Sequence, residues 1–332
     1  MDTRYKIISI GRSLVDVIFT LDDKKYNAVQ DFLKVKPGDW TEIKSISQLK
    51  KLFKLIDYAP YPIALDFKKE KVDFVAGSTN LNVFSTFPEC LRKQSAIITA
   101  VGTNKDGEYD KLSILYANSL RKMSITHVAY SYIGYNPLSM VFVSYSNPEK
   151  IMASFLGISG NLCKVENIKS QYLYIDAYEL VKDPISLLIN DLILSQRYKI
   201  ILGLGNSAIL NGKLLDTIRM YIQKGNIYIL CGNIFEYAKI SGCQNVENIL
   251  SYKHFSKIEY LLLTRGKDGL IGRFNGNIIY QNAFPIPQIV NTTGAGDVVT
   301  GCFIAGIITG KDPTYIMKNS ARRVYEYLRK KH

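Results

Sequence analysis

Apolar residues recur along this chain with two alternating periods. Short runs rich in β-branched and aliphatic residues at 6–10, 72–75, 96–101, 172–175, 199–202, 226–230 and 260–264 have the length and composition of buried strands. Between them, apolar positions three and four apart predict helices at 80–92, 109–122, 184–196, 212–223 and 234–240. Such alternation predicts βαβ units and an α/β fold, a mostly parallel sheet with helices on both faces. Nearer the start, a strand at 16–21 precedes helical spacing at 26–36 and 46–56, the two helices flanking a PGD turn at 37–39. Two stretches break the rhythm: 16–26, and 126–155, where VAYSYIGY, SMVFVSY and KIMASF are separated by turns rather than helices. Strands without crossovers predict a small antiparallel sheet projecting as a lid. The expectation is one domain spanning 1–332, with lid strands inserted at about 16–26 and 126–155.

Composition narrows the class. At 332 residues and 47% apolar content the chain can bury a large core. The 42 Lys and Arg against 29 Asp and Glu give a net charge of +13, which favours phosphate-bearing ligands, while 21% charged residues is ordinary for a soluble enzyme and does not indicate nucleic acid. Cys90, Cys163, Cys231, Cys243 and Cys302 are odd in number and show neither a CxxC pair nor a disulfide-framework spacing, so a reducing, cytoplasmic setting is expected. Arg12 and Asp16 interrupt the first apolar run, which reads as a core strand rather than a signal peptide. No apolar run approaches the roughly 20 residues that span a bilayer, so no membrane partner is expected. His127, His254 and His332 form no ligand set, which leaves zinc chemistry and a Ser-His-Asp triad without support. The basic residues from Lys318 to Lys331 have the spacing of a solvated helix face.

The candidate chemistry lies at IVNTTGAGDVVTGCFIAGIITG. Gly294, Ala295 and Gly296 are small enough to bring successive backbone N–H groups against an anion, and the segment after them opens a helix whose N-terminus carries partial positive charge. Asp297 at that N-terminus is held ionised and can take a proton from a hydroxyl beside a bound phosphate. Locally the same residues fit a plain helix N-terminus with Asp as the capping residue.

Other segments decide between those readings. NTTGAGD resembles the second signature of the ribokinase-like (PfkB) carbohydrate and nucleoside kinases, D-T-x-G-A-G-D, with Asn291 in place of the first Asp. GRSLVDV resembles that family's first strand and turn, with Asp16 on its substrate-binding acid; GSTNLNVF resembles the G-G-x-x-x-N-x-A helix start, with Gly77, Ser78 on the second glycine, and Asn82. AVGTNKDG is similar to V-G-x-D-x-x-G, Asn233 and Glu236 supply N-x-x-E, and TRGKDG resembles T-x-G-x-x-G, with Thr264, Gly266 and Gly269. These matches recur in order over nearly the whole chain.

The resemblance implies a ribokinase-like fold with a small β-sheet lid, and a kinase that uses ATP and Mg²⁺, with a monovalent cation left open. Asp297 would be the base and the Gly294, Ala295 and Gly296 amides the anion hole; Asp16, Gly77, Ser78 and Asn82 would bind substrate. Asn206, Thr264, Gly266 and Gly269 would lie against the nucleotide, and Asn233 with Glu236 would organise the metal. Asn206 in the LGLGNSA turn and Glu236 on its helix have plainer readings as turn and surface residues. EKIMASFLGISGNL resembles bacterial adenosine-kinase-like members, with Asn136 to Ser139 in the place of a P-T-G-T lid turn. The expected reaction is phosphorylation of a hydroxymethyl group on a ribose-containing small molecule, adenosine or a related nucleoside before others, by a monomer or homodimer. A kinase of ribose, fructose or a related sugar is the alternative. Ser78, Asn291 and the altered lid turn also admit a family member that binds ligand and turns over weakly.

Overall fold

The structure is a computed structural model that describes residues 4–36, 40–58, 72–146, 149–166, 168–182, 184–286 and 292–330. The PGD turn at 37–39 and Asn291 lie outside the described residues. In chain order the strands are β1 (Arg4–Arg12), β2 (Val15–Leu21), β3 (Trp40–Glu42), β4 (Val72–Ala76), β5 (Ser95–Thr103), β6 (Thr126–Ile133) and β7 (Leu138–Ser144). They continue with β8 (Ile151–Phe155), β9 (Lys169–Asp176), β10 (Lys199–Gly203), β11 (Ile227–Asn233), β12 (Tyr260–Thr264), β13 (Leu270–Phe274) and β14 (Asn277–Gln281).

Nine of the described strands form one sheet in the order β14-β13-β12-β11-β10-β9-β1-β5-β6. From β12 to β6 all neighbours pair parallel, and β13 with β14 adds an antiparallel hairpin at one edge. Every residue of β5 is buried, as a strand covered on both faces requires. Along β1 the side chains alternate between two cores: Ile7 packs on one side of the sheet, Ile8 and Ile10 on the other. The order reverses at β1, since β5 and β6 extend the sheet one way while β9 to β12 extend it the other. Such a switch point opens a crevice at the carboxyl ends of β1 and β9.

The second sheet has the order β3-β8-β7-β2-β4. It is mixed rather than antiparallel: β2 pairs parallel with β7 and β3 with β8, while β2–β4 and β7–β8 are antiparallel. Parallel pairing of β2 with β7 is available because the chain between them travels through the large sheet. Of the expected lid stretches, 138–155 supplies β7 and β8, but Thr126–Ile133 is the edge strand of the large sheet. The helix Lys111–Lys122 joins β5 to β6 as an ordinary crossover, and the chain reaches the second sheet only after Gly134. The early stretch likewise divides, with β2 in the second sheet and a helix at Asp23–Leu33, whose N-cap Asp22 accepts a hydrogen bond from the Lys25 amide. Conversely, β4 was expected in the main βαβ series and pairs with β2 instead.

Two further departures have local causes. The helix expected at 80–92 is two, Thr79–Ser85 and Glu89–Arg92, because Pro88 cannot continue the first. The β13–β14 hairpin was not expected; its two-residue turn, Asn275-Gly276, takes positive φ at both positions. Among the described residues no helix is long and apolar enough to cross a membrane, and all five cysteines are free thiols.

Candidate active site

A cavity of about 120 Å³ opens at the carboxyl ends of the parallel strands. Tyr174 and Asp176 reach it from β9, Gly203 from β10, Cys231 to Asn233 from β11 and Thr264 from β12, with Glu236 from the helix after β11. Gly296, Asp297 and Thr300 close it from the helix Ala295–Ile308.

Asp297 lies in the first turn of that helix, behind Gly294, whose φ of 83° makes the left-handed entry. Asn82 Nδ2, from the helix Thr79–Ser85, donates to Asp297 Oδ2 at 2.9 Å. The two helices approach closely because Gly301 has no side chain: a Cβ there would stand 2.0 Å from Thr86 Oγ1. Burial pushes the Asp297 carboxyl up to about 6, against the opposing pull of the Asn82 hydrogen bond. The Ala295 amide is already bonded to the Thr292 carbonyl at 3.0 Å, which leaves the Gly296 and Asp297 amides as the first-turn groups facing the cavity. Two contacts fix the turn at Thr293: Tyr327 Oη donates to its carbonyl at 2.9 Å, and Lys150 Nζ donates to its hydroxyl at 2.9 Å. Lys150 precedes β8, so the second sheet reaches the Gly-Ala-Gly-Asp turn directly.

Asp16 sits on β2 between Val75 of β4 and Ser139 of β7. Burial raises its pKa, opposed by a hydrogen bond from Ser139 and the charge of Lys150. Gly77 is where the chain passes beneath that carboxylate, and a Cβ would stand 2.5 Å from Asp16 Oδ2. Ser78 caps the helix Thr79–Ser85 through its hydroxyl, 3.3 Å from the Leu81 amide, with φ of 97°. Asn136 is a buried hub, its Oδ1 accepting from Ser13 Oγ at 2.8 Å and Ser113 Oγ at 3.0 Å.

Asn233 and Glu236 form a reciprocal capping box. Asn233 Oδ1 accepts from the Phe235 and Glu236 amides, and Glu236 returns both oxygens to Asn233, at 2.7 Å each. Burial raises the Glu236 carboxyl to about 7. Asn206 makes a turn, its Oδ1 accepting from the Ala208 amide at 2.8 Å. Gly266 takes positive φ, and Gly269 packs on β14, where a Cβ would stand 2.1 Å from the Gln281 carbonyl.

The fold therefore gathers Gly296, Asp297, Asn233, Glu236 and Thr264 around one cavity and ties Asn82 to it. Gly294, Ala295, Asp16, Gly77, Ser78, Asn206, Gly266 and Gly269 stand outside its lining. Sequence reasoning missed Asp176, Tyr178, Lys150, and the buried pair of Arg12 Nε with Glu179 Oε2 at 3.3 Å. The signal for Asp176 was present, an acid directly after the apolar run YLYI, at the strand end where open α/β sheets bind ligands.

Residues 201–320 match the family described as pfkB family carbohydrate kinase. A Mycoplasma pneumoniae protein described as "Putative 1-phosphofructokinase" is 32% identical over 81 residues, which are 24% of this chain and 27% of that protein's length. Among solved structures, the "probable sugar kinase protein from Rhizobium etli CFN 42" superposes with a TM-score of 0.77 at 17% identity, covering 98% of this chain and 94% of that one. Adenosine kinase from Sinorhizobium meliloti gives 0.75 at 16% identity over 98% and 94% of the two chains. Trypanosoma brucei brucei adenosine kinase, without ligand, gives 0.76 at 14% identity over 98% and 99%. The fold is ribokinase-like. The family match covers 120 of the 332 residues, while the likeness of fold runs over nearly the whole chain.

Proposed function

We propose that this protein transfers the terminal phosphoryl group of ATP to a hydroxymethyl oxygen of a ribose-containing acceptor, with adenosine or a related nucleoside preferred. The observation that carries the reading is the Asn82–Asp297 contact, which joins segments 215 residues apart at the mouth of a helix N-terminus. A carboxylate that titrates near 6 is ionised at neutral pH and basic enough to take the acceptor's hydroxyl proton. Asn82 holds it in orientation. The adjacent first-turn amides face the charge that develops on the phosphoryl group, a type of stabilisation worth roughly 3–4 kcal/mol per donor. Asp16, over Gly77, takes a sugar hydroxyl, and the second sheet, which carries Asp16 and Lys150, shields the reacting groups from water.

Among the described residues no three His, Cys, Asp or Glu side chains are grouped to cage a metal. Glu236 lines the cavity with one lone pair on each oxygen left over from the capping box, which fits a hydrated Mg²⁺ held by one or two protein groups and by phosphates. Asn233 and Glu236 would hold it through water, and it would supply neutralisation of the phosphate charge. Tyr178, 37% exposed with its ring edge over Gly205, offers an aromatic face at the cleft edge and supports a nucleoside over a bare sugar. The likeness to the "Putative 1-phosphofructokinase" favours the second reading, a sugar kinase. Incubation with MgATP and a panel of nucleosides, ribose, fructose and phosphorylated fructose separates them. Transfer to nucleosides supports the first reading, transfer to sugars alone the second, and ATP binding without any transfer points to a binding member.

A further inference from the structure

Asp176 ends β9 at the switch point, and the roles assigned above leave it unused. It is 3% exposed, and its Oδ1 accepts the Tyr178 amide at 3.0 Å. Gly203 and Gly205 leave it room, since a Cβ on the first would stand 3.2 Å from Oδ2 and on the second 3.0 Å from Oδ1. Asp176 lines the cavity with Gly296 and Asp297, and Oδ2 has no hydrogen-bonding partner among the described residues. That lining holds three carboxyl groups, on Asp176, Glu236 and Asp297, and neither Lys nor Arg. An ionised oxygen at Oδ2 would repel an incoming phosphoryl group, whereas a hydroxyl there would bind it.

We propose that Asp176 takes part in the transfer as a hydrogen-bond donor, its Oδ2–H directed at an oxygen of the phosphoryl group in transit. The proposal rests on the kinase reading above. The proton stays on Asp176 throughout, so the step adds a donor without forming or breaking a bond to the protein. The surroundings agree. Burial, with the charges of Asp297, Glu179 and Glu236, holds the carboxyl well above its ordinary range against the pull of the Tyr178 amide. The facing groups are Tyr174 on β9, Tyr178 and Glu179 on the following turn, Asp297 and Glu236, with the Cys231 thiol of β11 on the same cavity; Arg12 is engaged with Glu179, and β10 and the turn after it bring only Gly203, Leu204 and Gly205. A buried carboxylic acid kept neutral to donate a hydrogen bond is established enzyme chemistry.

The geometry also supplies the test. Because Oδ1 is fixed as an acceptor by the Tyr178 amide, Asn at this position must place Nδ2 where Oδ2 stands, and so copies the protonated acid. Wild type, Asp176→Asn and Asp176→Ala are compared by calorimetry with the Mg²⁺ complex of AMP-PNP, a non-transferable ATP analogue, and by turnover with the acceptor found in the panel. Asp176→Asn should bind within about twofold of wild type, and Asp176→Ala about tenfold more weakly. At alkaline pH wild type should lose affinity and Asp176→Asn should not. An Asn variant as weak as the Ala variant, or an Ala variant equal to wild type, overturns the proposal and leaves the kinase reading standing. A wild type that neither binds the analogue nor phosphorylates anything overturns that reading and the proposal with it. Should Asp176→Ala fail to fold, the pH profiles of the other two proteins decide.

Discussion

Replacing Asp297 by Asn separates a catalytic carboxylate from a helix-capping one. The amide keeps the size of the acid, and its oxygen can still accept the 2.9 Å hydrogen bond from Asn82. It cannot accept a proton, so turnover should fall by about two orders of magnitude or more, with the loss in the chemical step and ATP and acceptor binding nearly intact. Stability should move the other way. The folded-state pKa of about 6 lies above the ordinary value of an aspartate, about 3.9, so the ionised form is disfavoured by folding. The associated cost is absent below the unfolded pKa, grows between about pH 4 and 6, and is fully present above 6. That rise sets a ceiling of about 3 kcal/mol, and the partial exposure of Asp297 reduces it to about 1–2. Asp297→Asn should therefore match or exceed wild type in urea denaturation at pH 8 and lose that advantage at pH 4. The rate is read by single-turnover transfer at saturating MgATP and acceptor, and in wild type it should rise through a midpoint near pH 6. Rates for the two proteins agreeing within about threefold would refute the reasoning, because Asn caps helices about as well as Asp does.

Glu236→Gln should keep the bond from the Asn233 amide, lose the one from Asn233 Nδ2, and raise the Mg²⁺ concentration for half-maximal rate several-fold; an unchanged metal dependence would make Glu236 a structural residue only. Burial of Glu236 disfavours its charge above about pH 7, so the Gln variant should also be the more stable protein at pH 8, as thermal melts will show. Gly77→Ala should push the Asp16 carboxylate aside and weaken acceptor binding about tenfold while sparing ATP, and calorimetry showing equal losses for both ligands would remove Asp16 from the acceptor site. Ser78→Gly should stabilise the fold by about 1 kcal/mol, since relief of a serine at φ 97° outweighs the few tenths lost with the cap; a lower urea midpoint would show that the cap dominates.

Period and punctuation in the sequence determined most of the elements, because helix and strand bury a stripe or a face at spacings visible in the chain itself. The βαβ order, the parallel sheet and the helix behind Gly294–Asp297 were legible for that reason. Which sheet a strand joins is another matter. Period alone puts Thr126–Ile133 with the lid strands and 72–75 in the parallel series; the pairing of the first with β5 and of the second with β2 reverses both. The same limit applies to the site. Asp297, Asn233 and Glu236 announce themselves in motifs, but that Asn233 and Glu236 cap one another, that Asn82 grips Asp297 and that Lys150 reaches Thr293 are contacts across long sequence separations or side-chain choices among several partners. Asp176 makes the point most sharply. Its residue type is plain in the sequence, but its chemistry comes from burial among other carboxyls at a switch point that exists only once β1, β9 and β10 lie side by side.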